Sequence, residues 1–314
     1  TSYYRYPRMS SWLFIFGRTH ELSLSELEAF FDKPVMRLAP DVARVENFQA
    51  EDNPAMFIRL LGGTVKIARE KGRIQKITAR ELLPYLEGVG EPLTFGISVY
   101  GSTASPDTEM LRQMKETLLV GGIRARYIVA HDGNILTSVV IAKQHIHELI
   151  IVADGDGFIV GETAAVQDFE EWNKRDYGRP FADPKAGMLP PKVARMAVNI
   201  ARESKVESQK SKVLLDPFCG MGTILGEALL AGWQVIGSDQ SEVVIGKAKK
   251  NIEWLIKVTG PGPVIKFFVS DATHISEHFP KESIAAIVTE PFLGSTQRGD
   301  RQVKNIIKGL EKLY

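Results

Sequence analysis

The stretch from Lys212 to Asp239 constrains this chain more than any other. The apolar run Lys212-Val-Leu-Leu ends on Asp216-Pro-Phe-Cys-Gly-Met-Gly-Thr223 and leads into a helix with Ile224, Leu225, Ala228 and Leu229 on one face. A second apolar strand, Gln234-Val-Ile-Gly-Ser, then closes on Asp239. Strand, glycine-bearing turn, helix and strand in this order form a βαβ unit, which needs a parallel sheet and hence an α/β fold. An acid about 20 residues beyond the glycines is placed to accept hydrogen bonds from ribose hydroxyls. Gly220 and Gly222 follow Asp-Pro-Phe-Cys and do not form G-x-G-x-x-G, so a pyrophosphate is disfavoured. A carboxylate at Asp216 would repel phosphate but can orient the ammonium of an amino-acid moiety.

Two further strand ends continue the pattern: Phe267-Phe-Val-Ser-Asp271, and Ile284-Ala-Ala-Ile-Val-Thr-Glu-Pro-Phe-Leu-Gly294. Together with Asp216–Thr223 and Asp239, these segments resemble the ordered motifs of class I S-adenosylmethionine-dependent methyltransferases, and the D-P-F-C-G form resembles their RNA-methylating branch. The resemblance implies a Rossmann-like domain over 212–314, with S-adenosylmethionine held by Asp216, Phe218, Cys219, Gly220, Gly222, Thr223, Asp239 and Asp271. In such enzymes the acid ending strand three lies near the adenine amino group, here Asp271. Exocyclic-amine methyltransferases carry [D/N/S]-P-P-[Y/F/W], and this chain has Glu290-Pro291-Phe292-Leu293. Glu290 would accept hydrogen bonds from the target amine, beside Pro291, and Phe292 would stack on the flipped base. Glutamate reaches one methylene further than the usual aspartate, and the aromatic stands one position early.

Upstream, Asp176-Tyr-Gly-Arg-Pro-Phe-Ala-Asp-Pro-Lys-Ala-Gly-Met-Leu-Pro-Pro-Lys-Val-Ala-Arg195 is similar to the linker of THUMP-containing tRNA guanosine N2-methyltransferases, especially the group acting on guanosine ten. The resemblance implies a ferredoxin-like α+β domain over 9–90, a THUMP RNA-binding domain over 91–166, a basic linker and helix over 167–211, and an enzyme that methylates guanosine N2 in tRNA, its THUMP unit gripping the acceptor end. The catalytic sheet of that class has seven strands, whereas 212–314 accommodates four and a helix over 303–313; the chain reads as a fragment ending after strand four. Within enzymes, adenine N6 is the alternative target. The alternative outside enzymes is a tRNA-binding protein whose methyltransferase domain is inactive. Relatives in eukaryotes use a small activating subunit, which nothing in this sequence indicates.

Composition narrows the partners. Thirty-nine Lys and Arg against thirty-eight Asp and Glu leave a formal charge of +1, so any polyanion surface is local. Between Trp172 and Lys212 ten basic residues face four acidic ones, and Lys174, Arg175, Arg179, Lys185 and Lys192 are the expected RNA contacts. One cysteine, Cys219, permits no internal disulfide and suits a reducing, cytoplasmic setting. No apolar run approaches the ~18 residues of a membrane span, and Met9 reads as the natural start. His274-Ile-Ser-Glu-His278 matches a zinc-protease spacing but leaves little chain for a third ligand, so no metal is expected. His145 and His147 read as alternating strand histidines.

The first half carries no catalytic constellation. Strands are expected at Trp12–Phe16, Val42–Phe48, Phe57–Leu61, Val65–Ile67, Leu93–Tyr100, Ala125–Ala130, Leu136–Ile141, His145–Val152 and Phe158–Ala165. Helices are expected at Leu22–Phe31, Ile77–Leu86 (broken at Pro84), Thr108–Leu119 and Val193–Glu203.

Overall fold

The structure, a computed structural model, describes residues 11–46, 53–131, 133–182, 188–202, 212–260 and 265–291. The chain divides into two compact units, one holding Thr1–Leu24 and Pro34–Phe169, the other Ser25–Lys33 and Glu170–Tyr314.

The first unit is built on one eight-stranded sheet. Its strands are β1 (Ser11–Phe16), β2 (Met36–Ala39), β3 (Val42–Glu46), β4 (Thr64–Ile74), β5 (Leu93–Tyr100), β6 (Ala125–Ile128), β7 (His147–Asp154) and β8 (Gly157–Val166). They lie in the order β2-β3-β1-β4-β8-β7-β5-β6, with β5 parallel to both β6 and β7 and the other pairs antiparallel. The boundary expected at 90/91 falls before β5, and the strands on either side join through β4 and β8. Phe95, Ile97 and Val99 of β5 pack with Met110, Leu111 and Met114 from helix α4 (Thr108–Val120), an amphipathic helix capped by Asp107. Leu13, Ile15, Ala68, Ile150 and Val152 make a second cluster.

The helices expected at 22–31 and 77–86 are α1 (His20–Phe31) and α3 (Ala79–Leu82), the latter followed by a 3-10 turn at Leu83–Tyr85. Two expected strands are helices. Residues 54–60 form α2 (Pro54–Leu60), because Asn53 accepts from the Met56 amide at 3.0 Å and Pro54 presets the first turn. Residues 138–144 form α5 (Ser138–Gln144), capped by Thr137 and ended by His145 in the left-handed region. These caps prevail over the β-branched run Val139-Val140-Ile141, and they move His145 off the strand that holds His147. The expected strand at 65–67 extends to Ile74, and the short strand β2 had no clear alternation to reveal it.

The second unit contains the βαβ pattern. Strands β9 (Val213–Asp216), β10 (Gln234–Asp239), β11 (Ile265–Val269) and β12 (Ala286–Ile287) form a parallel sheet in the order β11-β10-β9-β12. Helices α8 (Thr223–Leu230) and α9 (Glu242–Thr259) pack with it through Ile224, Leu225, Ala228, Ile245 and Ile252. The expected linker is partly helical: α6 (Phe169–Tyr177) precedes the prolines, and α7 (Pro191–Ile200) begins on the last of them, two residues before the expected Val193, because proline suits the first helical position. The segment expected as a helix at 303–313 lies outside the described residues.

Candidate active site

Asp216 ends β9 and is almost fully buried, 1% exposed. Its Oδ1 accepts from the Phe218 amide at 3.2 Å and from the Thr289 hydroxyl at 2.6 Å. Burial pushes its carboxyl up to about 7; the bonds from Thr289 and Phe218 oppose this, and the charges of Asp239 and Glu290 add to it. Gly220 (φ +48°) and Gly222 (φ +83°) are both left-handed, a conformation in which a side chain would be strained. Gly222 opens α8 without any side-chain cap.

The turn lies close against β10. The Cys219 amide donates to Ser238 O at 2.8 Å, and the Ser238 hydroxyl donates to Pro217 O at 3.2 Å. A Cβ at Gly237 would meet Leu225 Cδ1 at 2.4 Å and Cys219 at 3.2 Å, so this approach requires glycine. Burial, with Asp216 and Asp239 behind it, pushes the Cys219 thiol far above its ordinary value, making it a packing group rather than a nucleophile.

Asp239, half-buried at the end of β10, accepts from the Ser241 amide at 2.9 Å. Asp271 is exposed and caps the 3-10 turn Ala272–His278; bonds from the Thr273 hydroxyl and amide hold its carboxyl below the usual range. That turn carries His274 and His278, the latter stacked on Phe268 with ring centroids 5.2 Å apart. Pairing of Ile287 with Leu215, and the 3.1 Å bond from Val288 N to Leu215 O, bring Thr289 beside Asp216 and leave Glu290 exposed. Asp216, Asp239, Asp271 and Glu290 thus share the C-terminal edge of one parallel sheet, where open α/β sheets place ligands. Pro291 is half-buried next to Glu290; Phe292 lies outside the described residues.

Thr289 was not expected. A threonine one residue before the acid carries no sequence signal, because its partner stands 73 positions away.

The basic segment divides. Lys174 is exposed. Arg175 is not available to RNA: it is buried, donates to both Glu227 oxygens at 2.9 and 3.1 Å, and lies 3.7 Å over the Trp172 ring. Arg195 of α7 reaches the same carboxylate at 2.8 Å, so Glu227 on α8 ties α6 and α7 to the sheet domain. Arg179 is half-buried and donates to the Thr223 hydroxyl at 2.7 Å, and burial lowers its affinity for protons. Lys192, also half-buried, sits over Trp172, and burial, then Arg175, lowers its value. Lys185 lies outside the described residues.

A parallel sheet with an acid at the tip of each strand and a glycine turn on its first crossover defines a Rossmann-like domain suited to a nucleoside cofactor. The chain matches the RMKL-like methyltransferase domain family (UPF0020) over residues 178–310. It is similar to tRNA (guanine(10)-N2)-dimethyltransferase of Pyrococcus abyssi, with 40% identity over 138 residues, 43% of this chain and 37% of that protein. The protein of the same description from Methanocaldococcus jannaschii is 30% identical over 160 residues, 50% of this chain and 43% of that one. The chain thus matches less than half the length of these relatives. Among solved structures, TrmN from Thermus thermophilus is similar over 98% of this chain and 82% of its own, with a TM-score of 0.52 at 18% identity. A possible methylase from Clostridium difficile 630 gives the same TM-score at 15% identity, covering 98% and 85%. At these identities the likeness shows a shared fold.

Proposed function

We propose that the chain belongs to an S-adenosylmethionine-dependent methyltransferase acting on the exocyclic N2 of a tRNA guanosine, position 10 being favoured by the relatives' names. The observation that carries this reading is the Thr289–Asp216 bond, which sets the residue before Glu290 against the acid that opens the glycine turn. The residues present fit the cofactor. The left-handed Gly220 and Gly222 keep side chains out of the turn, Asp239 offers a carboxylate at a ribose position, and the buried Asp216 can face an ammonium. Phe218, Cys219 and Thr223 complete the turn, and Asp271 stands at the adenine position by resemblance.

When bound, S-adenosylmethionine supplies an electrophilic methyl group. The chain's own part is orientation and proton handling. Glu290, with backbone near Pro291, accepts hydrogen bonds from the guanine amine, aims its lone pair, and takes the proton the amine sheds as it is alkylated. Phe292 stacks on the extruded base. The first unit, read as ferredoxin-like and THUMP portions, holds the acceptor end of tRNA, and Lys174, Lys185 and Lys192 contribute phosphate contacts. A cytoplasmic setting goes with this role.

The test is transfer of labelled methyl from S-adenosylmethionine to unmodified tRNA, followed by nucleoside mass spectrometry. N2-methylguanosine is expected, and Glu290→Ala should abolish transfer while leaving tRNA affinity unchanged. Binding of both cofactor and tRNA without any transfer would overturn the enzymatic reading in favour of a tRNA-binding role; N6-methyladenosine would reassign the target.

A further inference from the structure

Asn251 lies in the middle of α9, 5% exposed, and every polar atom of its side chain is used outside its own helix. Its Nδ2 donates to Phe181 O and to Met221 O, each at 2.9 Å, and its Oδ1 accepts from the Phe181 amide at 2.9 Å. An amide is the side chain that can do this: two donors and an acceptor pair with both backbone groups of one residue and leave a hydrogen for a second carbonyl. Aspartate would lack the donors, and an apolar residue would strand three partly buried backbone groups.

The two segments joined this way differ in role. Met221 stands between the left-handed Gly220 and Gly222, the two most permissive residues of the turn; the Gly222 amide donates to Cys219 O at 2.7 Å, and Asn251 holds the Met221 carbonyl from outside the turn. Phe181 belongs to the chain following α6, well upstream of β9. The same upstream segment makes a second attachment, since Arg179 donates to the Thr223 hydroxyl at 2.7 Å and to Asp176 O at 3.2 Å. Lys250, next to Asn251, places its ammonium 5.5 Å from the Phe181 ring centroid. Residues 179–181 therefore form a strap fixed at one end to the first residue of α8 and at the other, through Asn251, to the turn itself.

We infer that Asn251 is a positioning residue for the proposed cofactor turn, acting with Arg179 to fasten the upstream strap so that cofactor affinity depends on a segment outside the βαβ unit. Asn251 does not touch the cofactor; it removes conformational freedom from Met221 that binding would otherwise have to remove. The inference rests on the proposed use of this turn for S-adenosylmethionine.

The experiment is calorimetric titration of the whole chain with S-adenosylhomocysteine, comparing wild type with Asn251→Ala, Arg179→Ala and Leu255→Val. Leu255 is buried on the same helix and makes no bond to the turn, so its variant reports the effect of general loosening. Asn251→Ala should weaken binding about tenfold or more, and Arg179→Ala should weaken it in the same direction. Leu255→Val should leave Kd unchanged at a comparable loss in Tm, and tRNA affinity should be unchanged in all three. If Asn251→Ala does not fold, Arg179→Lys decides alone, because it keeps a cation in this largely buried place while losing the guanidinium that reaches the Thr223 hydroxyl. Wild-type binding with equal Kd in the strap variants, or equal weakening by Leu255→Val, overturns this inference and leaves the proposed function standing. Absence of binding by the wild type overturns both.

Discussion

Replacing Asp216 by asparagine isolates the cost of burying a carboxylate at the heart of the turn. Both bonds to this side chain arrive at Oδ1, from the Phe218 amide and the Thr289 hydroxyl, and an asparagine oxygen can accept both. What changes is ionisation. Burial lifts this acid from an ordinary 3.8 to about 7, which corresponds to about 4 kcal/mol against the charged form. A folded-state value above the unfolded one means that the contribution is fully favourable below 3.8, is lost as pH rises through 7, and stays lost above that. Asparagine has no such dependence. In paired urea titrations, the stability of Asp216→Asn minus that of wild type should therefore rise by about 3 kcal/mol from pH 5 to pH 8, with most of the change complete by pH 7. Other titrating groups are common to both proteins and cancel. The same variant should lose S-adenosylhomocysteine binding, because it cannot supply the charge that faces an ammonium. A stability difference that stays constant from pH 5 to 8 would refute the reasoning, since it would mean that Asp216 ionises normally in the folded chain.

Three other outcomes follow from the geometry. Thr289→Ala removes the hydroxyl that anchors the Glu290 segment to Asp216, and methyl transfer should slow about tenfold; Thr289→Ser should restore the rate, and failure of serine to rescue would show that the methyl group matters instead. Glu227→Ala leaves the buried guanidiniums of Arg175 and Arg195 without their shared carboxylate, so it should cost about 3–5 kcal/mol in denaturant melts, and a loss below ~1 kcal/mol would contradict a buried pair. Cys219 should resist thiol-disulfide reagents in the folded protein and react only after denaturation; prompt labelling under native conditions would show that the turn opens.

Legibility followed the range of the interactions. The βαβ unit could be read because its determinants are local: glycines where φ must be positive, an acid closing each strand, apolar spacing on α8. Residues 57–61 and 136–141 misled because short apolar runs fit either a strand or a buried helix, and the deciding groups, Asn53 and Thr137, sit just outside the runs. The single sheet of the first unit could not be read, because β4 and β8 pair across intervening strands and helices that each look locally complete. Arg175 failed for a related reason. Ten basic residues between 172 and 212 resemble a solvated track, and only the fold reveals that Glu227 withdraws two of them, Arg175 and Arg195, from solvent.

The same distinction explains why the candidate site residues read from sequence are acids near strand ends, while those found only in the structure are groups that brace the turn. Asp216 and Asp239 end β9 and β10, and Asp271 and Glu290 follow the ends of β11 and β12 by two and three residues, so their spacing along the chain betrays them. The turn between them contains two left-handed glycines and no side-chain cap, so its sequence specifies freedom rather than order. Besides the bonds that tie the turn to Ser238, order is supplied by two side chains with no motif of their own: the Thr289 hydroxyl on Asp216, and the Asn251 amide on Met221. A buried hydrogen bond contributes only about 1 kcal/mol net, but leaving its partner unsatisfied costs more. Each bond therefore does less to stabilise the fold than to select one conformation of the turn, and the entropy of ordering that conformation is met during folding rather than when a ligand arrives.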